Sequence, residues 1–451
     1  MNRGLAQEHF DVIAIGAGPF NLGFAALTDP LPELTVAVLE ASDNFVWHPG
    51  MMLDGAHLQV PFMADLVTLA DPTNKFSFLN YLKEKERIYP FYIRENFYAL
   101  RKEYSDYLAW AAQLLPSVRF GHRVLSAEYA DGAYQLSVLT DRGLTHFSAD
   151  KLVLGTGSQP YLPEFVDEQL LSTSSVTHSS EYLHSRQSII EPKAEQRPKV
   201  VTVLGSGQSA AEVFLDLLRS LPEHDHLVWA TRSERFFPLE YTKLTLEMTS
   251  PEYIDHFHAL PISERDALSK AQKGLYKGIN ADLIDEIHEE LYQRSVASPA
   301  PVHLRTGCAA TAVAPQDGAI QVELHHEREK EKLAFLTDAL VLATGYRNGT
   351  PDFLEGLEDR ITRLPDGRLD VDRNYSIGTN HDIFVQNAEL HTHGFTAPDL
   401  GMGAYRNSVL INRIAGREVY RVEDRIAFQR FGAASLENLP TCQPQPISAQ
   451  D

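Results

Sequence analysis

Two stretches of the chain share one pattern: a short apolar run, a glycine-rich turn, and then apolar positions at helical spacing. Residues 10–15 lead into the turn 16–21 (GAGPFN), and residues 200–204 lead into the turn 205–210 (GSGQSA). A short apolar run is typical of a strand buried in a parallel sheet, and the change of spacing predicts a helix. The sequence therefore predicts two strand–turn–helix units, which places the chain in the α/β class.

Two more apolar runs end in turns of small residues. Residues 151–154 precede Gly155-Thr156-Gly157, and residues 339–342 precede Ala343-Thr344-Gly345. Because the runs are short and apolar and their turns match, both are predicted to be further buried strands.

A helical region and a tail follow from the remaining pattern. Residues 250–293 have helical spacing and start at Ser250-Pro251-Glu252, where a capping residue precedes a first-turn proline. Residues 436–451 are rich in proline and glutamine, so they are predicted to be disordered.

Composition and charge exclude several classes of function. A chain of 451 residues with 43% apolar and 22% charged residues predicts two or three globular domains. The formal net charge of −21 argues against nucleic acid and anionic membranes as partners, since both need a basic surface. The N-terminus lacks an apolar signal segment and no run approaches ~18 apolar residues, which predicts a cytoplasmic protein without a membrane span.

Cysteine and histidine positions predict no metal or disulfide chemistry. Cys308 and Cys442 are far apart and belong to no CxxC, so no disulfide framework, zinc site or dithiol centre is expected. His391 and His393 have the spacing of a metal-binding pair, but no third ligand is apparent near them.

The first glycine turn has the features of a phosphate cradle. Glycine permits a tight turn and lets the backbone approach a pyrophosphate, while the following helix offers unpaired N–H groups at its N-terminus. Glu40 ends the next apolar run, 24 residues after Gly16, which is about the spacing expected for a carboxylate on a ribose hydroxyl. This unit is therefore predicted to bind a dinucleotide.

The second glycine turn is followed by the opposite charge. Its next apolar run, 227–230, ends in Thr231-Arg232, so a basic residue stands where an acid would favour NAD. An arginine at this position suits the 2′-phosphate of NADP. Two different dinucleotides, without a CxxC or a metal motif, predict hydride transfer from NADPH to a flavin.

Eight motifs carry a family resemblance that extends from about Phe10 to about Arg417. They are GAGPFNL at 16–22, WHPGM at 47–51, LQVPFMADLVT at 58–68, FSFLNYL at 76–82, GTGSQPYLP at 155–163, GSGQSAAE at 205–212, ATGYR at 343–347 and THG at 392–394. In these motifs the chain resembles the N-hydroxylating flavoprotein monooxygenases of siderophore biosynthesis. That family includes the lysine and ornithine N-monooxygenases, and this chain looks most like its diamine (putrescine/cadaverine) N-hydroxylases.

The resemblance implies an α/β fold with two Rossmann-like dinucleotide-binding domains, one for FAD and one for NADPH, and a small helical substrate-binding region. The implied division is 1–165 and 346–435 for the FAD-binding domain, 166–240 and 294–345 for the NADPH-binding domain, 241–293 for the helical region, and 436–451 for the tail. It also implies a homo-oligomer, namely a tetramer.

The same resemblance assigns site residues. FAD contacts are implied for Gly16, Gly18, Pro19, Asn21, Glu40, Trp47, His48, Gln59, Pro398, Asp399 and Leu400. NADP contacts are implied for Gly205, Ser206, Gly207, Gln208, Ser209, Arg232 and Tyr276. The substrate pocket is implied to contain Ala64, Leu246, Asn280 and Gly401. No protein nucleophile is expected, because the cofactor carries the chemistry.

The implied reaction uses FAD, NADPH and O2 to hydroxylate a primary amine nitrogen through a C4a-hydroperoxyflavin. Only a neutral amine is a nucleophile, and a free alkylamine has a pKa near ~10.4. A tight pocket that desolvates the reacting end would lower this pKa.

Ala64 and Leu246 separate two substrate classes. In the amino-acid hydroxylases of the family, a lysine that pairs with the substrate's α-carboxylate stands at the position of Ala64, and Leu246 aligns with a second polar contact to that carboxylate. A carboxylate without a cation in a dry pocket is unfavourable. We therefore predict a diamine substrate, namely putrescine, cadaverine or diaminopropane, and L-lysine (at N6) or L-ornithine (at N5) is the alternative.

Charged residues of the predicted substrate region leave both possibilities open. The lysines that could replace the missing cation are Lys243, Lys273 and Lys277. The carboxylates that could accept the far ammonium of a diamine are Glu240, Glu247 and Asp399.

Three other classes of protein fit less well. A flavin-dependent disulfide or quinone reductase shares the two-dinucleotide plan, but the CxxC is missing and neither enzyme accounts for WHPGM. The motif around Gln59 disfavours carbon or sulfur oxygenation. A non-enzymatic flavin-binding protein has no need of a second cradle with Arg232.

Overall fold

The computed structural model of the chain describes residues 8–171, 173, 175–192, 197–297 and 301–433, and the predicted tail 436–451 lies outside them. The strands are β1 (Glu8–Ile15), β2 (Val36–Leu39), β3 (Val118–Arg119), β4 (Arg123–Ala130), β5 (Ala133–Thr140), β6 (Gly143–Leu154), β7 (Gln159–Pro160), β8 (Val176–His178), β9 (Val200–Leu204), β10 (His226–Ala230), β11 (Val302–Arg305), β12 (Cys308–Gln316), β13 (Ala319–His326), β14 (Glu331–Thr337), β15 (Ala339–Leu342), β16 (Tyr346–Arg347) and β17 (Ile383–Val385).

The α-helices are α1 (Pro19–Thr28), α2 (Phe78–Glu84), α3 (Ile88–Ile93), α4 (Arg101–Leu114), α5 (Glu168–Leu171), α6 (Tyr182–Ile190), α7 (Gln208–Ser220), α8 (Lys243–Leu246), α9 (Pro251–Ala259), α10 (Ile262–Ala271), α11 (Ala281–Ala297), α12 (Leu390–His393) and α13 (Gly403–Ala415). Short 3-10 helices span Pro49–Met51, Ser179–Glu181, Gln272–Leu275, Asp352–Arg360, Gly394–Thr396 and Leu400–Met402. In these ranges, no helix has the length and apolar character needed to cross a membrane.

The first sheet joins the start of the chain to its late part. Its order is β3-β2-β1-β6-β5-β4, with β17 beside the end of β6. Strand β1 runs parallel to β2 and to β6, with Val12 opposite Val36 and Ile13 opposite Leu152. The first half of β6 pairs antiparallel with β5, and its last three residues pair parallel with β17. The predicted strands at 10–15 and 151–154 are thus confirmed, and the structure shows that they are neighbours in one sheet.

The second sheet has five parallel strands in the order β11-β10-β9-β15-β8. Its central strands are short, largely apolar runs that are almost wholly buried, because α7 and α11 pack on one face and strands β12 and β13 pack on the other. On α7, the ring of Phe214 stacks on Trp229 of β10 at 4.7 Å. The predicted strands at 200–204 and 339–342 are confirmed.

The two turns of small residues lie directly against the two glycine turns. Gly16 has φ +91°, and a Cβ placed on it would lie 2.5 Å from the carbonyl oxygen of Gly155. Gly205 has φ +156°, and its Cβ would lie 2.2 Å from the carbonyl oxygen of Ala343. Each glycine is therefore required by a close backbone approach, and the same packing occurs at both glycine turns.

Two smaller sheets complete the β structure. Strands β12, β13 and β14 form an antiparallel sheet. Strands β7 and β16 pair antiparallel, with Pro160 opposite Tyr346. The segment that leaves the first sheet and the segment that returns from the second therefore run side by side.

The helical region starts where the sequence predicts. Helix α9 begins at Pro251, and the hydroxyl of Ser250 accepts the backbone N–H of Tyr253 at 3.2 Å. This capping bond satisfies one of the free N–H groups at the helix start.

The rest of the predicted region 250–293 is not one packed unit. It is divided into α9, α10, the 3-10 helix Gln272–Leu275 and α11. Phe257 of α9 packs in a small cluster with Phe395, whereas Ile287 of α11 belongs to the core around α7 and the second sheet. By packing, α11 is therefore part of the second sheet's unit.

Candidate active site

Two adjoining cavities form the candidate site. A cavity of about 1040 Å³ opens where β9, β10 and β15 end, and a second cavity of about 330 Å³ lies beside it. Residues that line both are Gln59, Gln208, Ser209, Tyr276, Tyr346 and Pro398. Open α/β sheets bind their ligands beyond the carboxyl ends of the strands, so the larger cavity has the position of a nucleotide site.

The structure divides the predicted site residues into three groups. Those that line the larger cavity are Gln59, Ser206, Gly207, Gln208, Ser209, Arg232, Tyr276 and Pro398. Those that line the smaller cavity are Trp47, His48, Gln59, Gln208, Ser209, Leu246, Tyr276, Pro398, Asp399 and Leu400. Those that line neither are Gly16, Gly18, Pro19, Asn21, Glu40, Ala64, Gly205, Asn280 and Gly401.

The second glycine turn borders the larger cavity. Helix α7 starts directly after its cap residue Gly207, and a Cβ on Gly207 would have one atom nearby, the Lys277 carbonyl oxygen at 3.5 Å. Arg232 follows β10 and lines the same cavity. Exposed backbone at a helix start and a cation at the end of the next strand fit a phosphorylated dinucleotide.

The first glycine turn is joined to the predicted acid. Glu40 accepts the backbone N–H of Ala17 at 2.8 Å through one carboxylate oxygen and that of Ser42 at 2.9 Å through the other. Helix α1 begins after Gly18, and a Cβ on Gly18 would meet nothing within 4 Å. The turn therefore leaves open space at its glycine and holds a carboxylate at its edge, which fits the pyrophosphate and ribose of a dinucleotide.

Asn21 ties the first turn to the late part of the chain. Its amide nitrogen donates to the carbonyl oxygens of Ile15 at 3.1 Å and Gly16 at 2.7 Å. Its amide oxygen accepts a hydrogen bond from Gln386 at 2.7 Å. Because the side chain is buried and both of its N–H groups are bonded to protein, it holds the turn in place.

The smaller cavity has a mainly apolar wall. Its apolar lining residues are Trp47, Met51, Leu58, Val60, Leu239, Leu246, Leu275, Phe395, Pro398 and Leu400. His48 lines it from a left-handed backbone conformation with φ 48°. Burial lowers the pKa of His48, and the nearby Arg101 guanidinium lowers it further, so the imidazole is neutral at neutral pH.

A hydrogen-bond network crosses between the two sheets where the cavities meet. Arg101 of α4 binds both carboxylate oxygens of Glu212 on α7, at 2.6 and 2.9 Å. Gln208 donates to Glu212 at 3.0 Å and accepts the backbone N–H of Asn280 at 2.9 Å. Gln59 donates to the Asn280 side chain at 2.9 Å. The predicted pocket residue Asn280 thus positions Gln59, which lines both cavities.

Two of the three candidate ammonium acceptors face the smaller cavity. Asp399 and Glu240 line it. Asp399 accepts the backbone N–H of Gly401 at 2.7 Å, and burial raises the pKa of its carboxyl group. Glu247 instead binds the backbone and side chain of Gln429 at 3.0 and 3.1 Å.

Ala64 and Gly401 lie together behind the wall. Ala64 is buried, and a Cβ on Gly401 would lie 4.0 Å from the Ala64 Cβ and 3.0 Å from an Asp399 oxygen. Position 64 therefore lies next to the turn that holds Asp399.

The candidate cations for an amino-acid substrate lie elsewhere. Lys273 and Lys277 line the larger cavity, and Lys243 lines neither. Among the described residues that line the smaller cavity, Arg101 is the one lysine or arginine, and its guanidinium is bound to Glu212.

Several cavity residues were not among the predicted site residues. Arg101, Tyr346 and Phe395 line the smaller cavity, and Glu212 holds Arg101. Tyr346 could have been predicted from the sequence, because it belongs to the ATGYR motif. Glu212 could have been noticed as the residue one helical turn after Gln208. Arg101 has no local signal, because its partner is 111 residues away.

The histidine pair is bound to protein groups. The His391 ring bonds the Leu369 carbonyl oxygen at 2.6 Å, and the His393 ring bonds Thr392 at 2.9 Å. Within the described ranges, no cluster of three or more His, Cys, Asp or Glu residues with metal-binding geometry occurs.

Two strand–turn–helix units with opposite charges at the next strand end, and two cavities that share one wall, define a two-nucleotide oxidoreductase. The chain matches the family model of L-lysine 6-monooxygenase/L-ornithine 5-monooxygenase over residues 8–348 and belongs to that family. It is a flavin-dependent monooxygenase, as the sequence predicts.

The relatives are more specific. The chain is 44% identical over 446 residues to putrescine N-hydroxylase of Shewanella oneidensis, which covers 98% of this chain and 87% of the relative. The FAD-bound structure of the cadaverine monooxygenase of the desferrioxamine pathway from Erwinia amylovora has a TM-score of 0.91 and 47% identity, covering 95% of this chain and 100% of that one. The ornithine N-hydroxylase of a Kutzneria species, solved with reduced FAD, NADP+ and L-ornithine, has a TM-score of 0.82 and 26% identity, covering 90% and 99%.

Proposed function

We propose that this chain uses FAD, NADPH and O2 to hydroxylate one amino nitrogen of an aliphatic diamine such as putrescine, cadaverine or diaminopropane. The product is a hydroxylamine for the assembly of a hydroxamate siderophore. Relatives that act on putrescine and cadaverine support this proposal, and so does the charge of the smaller cavity.

The observation that carries the substrate proposal is that the described residues lining this cavity include no free lysine or arginine. Its single arginine among the described residues is already bound to Glu212. The α-carboxylate of lysine or ornithine would lose water there without gaining a partner, which is unfavourable. A diamine has no carboxylate, and its far ammonium can bind Asp399 or Glu240, which line the cavity.

Asp399 is the better acceptor of the two. Burial raises the pKa of its carboxyl group, and the Gly401 N–H and the Arg406 charge offset this only in part. An ammonium beside it would restore the ionised form. Glu240 is exposed, and water already solvates its carboxylate.

The apolar wall acts on the other end of the diamine. Trp47 and Phe395 exclude water from the reacting nitrogen, which lowers its pKa and favours the neutral nucleophile. When bound, NADPH and FAD supply the hydride and the activated oxygen. FAD fits the turn at Gly18, where a Cβ would meet nothing within 4 Å, and NADPH fits the turn at Gly207.

The two sheets support a division of labour within the chain. We assign FAD to the unit of the first sheet (1–165 and 346–435) and NADPH to that of the second (166–240 and 294–345, with α11), leaving α8 to α10 as the substrate region. A cytoplasmic homotetramer is proposed from family resemblance. Sedimentation velocity of the purified protein measures its assembly.

Product analysis tests the substrate. Purified protein with FAD, NADPH and O2 is given putrescine, cadaverine, diaminopropane, L-lysine and L-ornithine, and hydroxylamine products are quantified by mass spectrometry. We expect a diamine to have the highest kcat/KM. NADPH oxidation alone is insufficient, since uncoupled peroxide release would mimic turnover. A higher kcat/KM for L-lysine or L-ornithine would reject the proposal.

Two variants test the ammonium acceptor. Asp399→Asn should raise the KM for the diamine about 10- to 100-fold, because the lost partner is charged. Glu240→Gln is the matched control, with an expected change of less than about threefold. The opposite ranking would place the ammonium at Glu240.

A further inference from the structure

Three cations converge on the larger cavity from two parts of the chain. Arg232 follows β10 of the second sheet, Lys273 lies in the 3-10 helix Gln272–Leu275, and Lys277 follows that helix. The carbonyl oxygen of Lys277 lies 3.5 Å from the position of a Cβ on Gly207, so the lysine segment lies directly over the second glycine turn.

These cations have no anionic partner in the part of the chain that the structure describes. The carboxylates that line the same cavity are Asp266 and Asp366, and Arg368 binds both, at 2.8 and 2.6 Å. Burial lowers the pKa of the Lys277 ammonium, and the charges of Lys273 and Arg232 lower it further. Three like charges around one cavity repel one another, so an anion there would be favourable.

We propose that Lys273 and Lys277 complete, with Arg232, a three-cation site for the 2′-phosphate of NADPH. The inference rests on the proposed use of NADPH and goes beyond the single arginine at the strand end. A phosphate monoester carries between one and two negative charges at neutral pH and three acceptor oxygens, which suits three cations. The preference for NADPH over NADH is then set partly by the segment between α10 and α11.

Binding of nucleotide fragments tests this site without turnover. The FAD-loaded protein is titrated calorimetrically with adenosine 2′,5′-bisphosphate, which carries the 2′-phosphate, and with 5′-AMP, which lacks it. We expect Lys277→Gln and Lys273→Gln each to weaken binding of the bisphosphate roughly tenfold, as for loss of a hydrogen bond between charged groups. Binding of 5′-AMP should stay within about twofold, because that fragment has no 2′-phosphate to lose.

Two controls separate charge from structure. Lys277→Arg keeps the charge and should restore most of the bisphosphate affinity. Lys243→Gln removes a lysine of the same region that lines neither cavity and should leave both affinities unchanged. Thermal unfolding of each variant shows that it is folded.

The outcomes distinguish this inference from the proposed function. If the unaltered protein binds the bisphosphate no better than 5′-AMP, the NADPH cradle itself is wrong. If the unaltered protein discriminates and both lysine variants discriminate equally well, only the three-cation site is wrong. Equal losses of both fragments would also overturn it, because they would indicate a general effect on the turn.

Discussion

The two glycine turns use the same backbone device in different surroundings. In each, the first glycine packs so closely on a turn of small residues that a Cβ would lie 2.5 Å or less from a carbonyl oxygen. The first turn is linked to an acid, Glu40, and through Asn21 to Gln386. The second turn borders a wide cavity and is followed by Arg232.

This comparison separates the features that the two turns share from the feature in which they differ. The glycines set how closely backbone can approach a phosphate, and they do so equally at both turns. The charge at the next strand end differs in sign, so we propose that it is the feature that distinguishes the two nucleotides. The first turn is tied into the fold by a buried side chain, whereas the second is open to a cavity of about 1040 Å³.

Breaking the link between the two units should have the largest effect. Arg101→Ala leaves Glu212 buried without its partner, which should destabilise the protein by about 3–5 kcal/mol. Denaturant unfolding measures the loss. Arg328→Ala removes a similar pair with Glu234 that is exposed on both sides, so less than about 1 kcal/mol is expected. Equal losses would show that the network does not fix the two units together.

Adding a methyl group to the first glycine of each turn should have the second-largest effect on stability. Gly16→Ala and Gly205→Ala place a Cβ against backbone and should each cost about 2–4 kcal/mol of stability. Thermal unfolding and FAD retention are the measurements. Gly18→Ala has free space, so it should unfold within a few degrees of the unaltered protein. If Gly16→Ala were as stable as Gly18→Ala, the close packing would not be real.

The kcat/KM for the diamine should depend on pH, because Asp399 lines the smaller cavity. The Asp399 carboxyl group has a raised pKa, and below that pKa it is neutral and no longer attracts an ammonium. We therefore expect kcat/KM for the diamine to fall, up to about tenfold per pH unit, as pH drops through the pKa of Asp399.

In the Asp399→Asn variant, kcat/KM should not show this decrease at low pH. Reduction of FAD by NADPH without amine should also lack this decrease, because no ammonium is bound in that step. If the decrease of kcat/KM at low pH persists in Asp399→Asn, another titratable group causes it.

The charge at the first strand end should have the smallest effect. Glu40→Gln keeps the shape but weakens the bonds to Ala17 and Ser42, so FAD affinity should fall about tenfold or less. Fluorescence of released FAD measures the affinity. Arg232→Gln should leave FAD affinity unchanged, and a loss of FAD in that variant would contradict the assignment of the two cradles.

The sequence alone determined the features that depend on neighbours along the chain. Strands at 10–15, 151–154, 200–204 and 339–342, and the cap at Ser250, are found as predicted. Apolar runs, glycine turns and caps are local patterns, because period and turn chemistry act over a few residues.

The tertiary structure decided everything that depends on how the two units pack. It divided the predicted helical region 250–293 and gave α11 to the second sheet. In the folded chain, Lys273 and Lys277 line the larger cavity, and Glu247 accepts a hydrogen bond from Gln429. Hydrophobic spacing shows which face of a helix is buried, but it does not say against which partner, and charged side chains follow that choice.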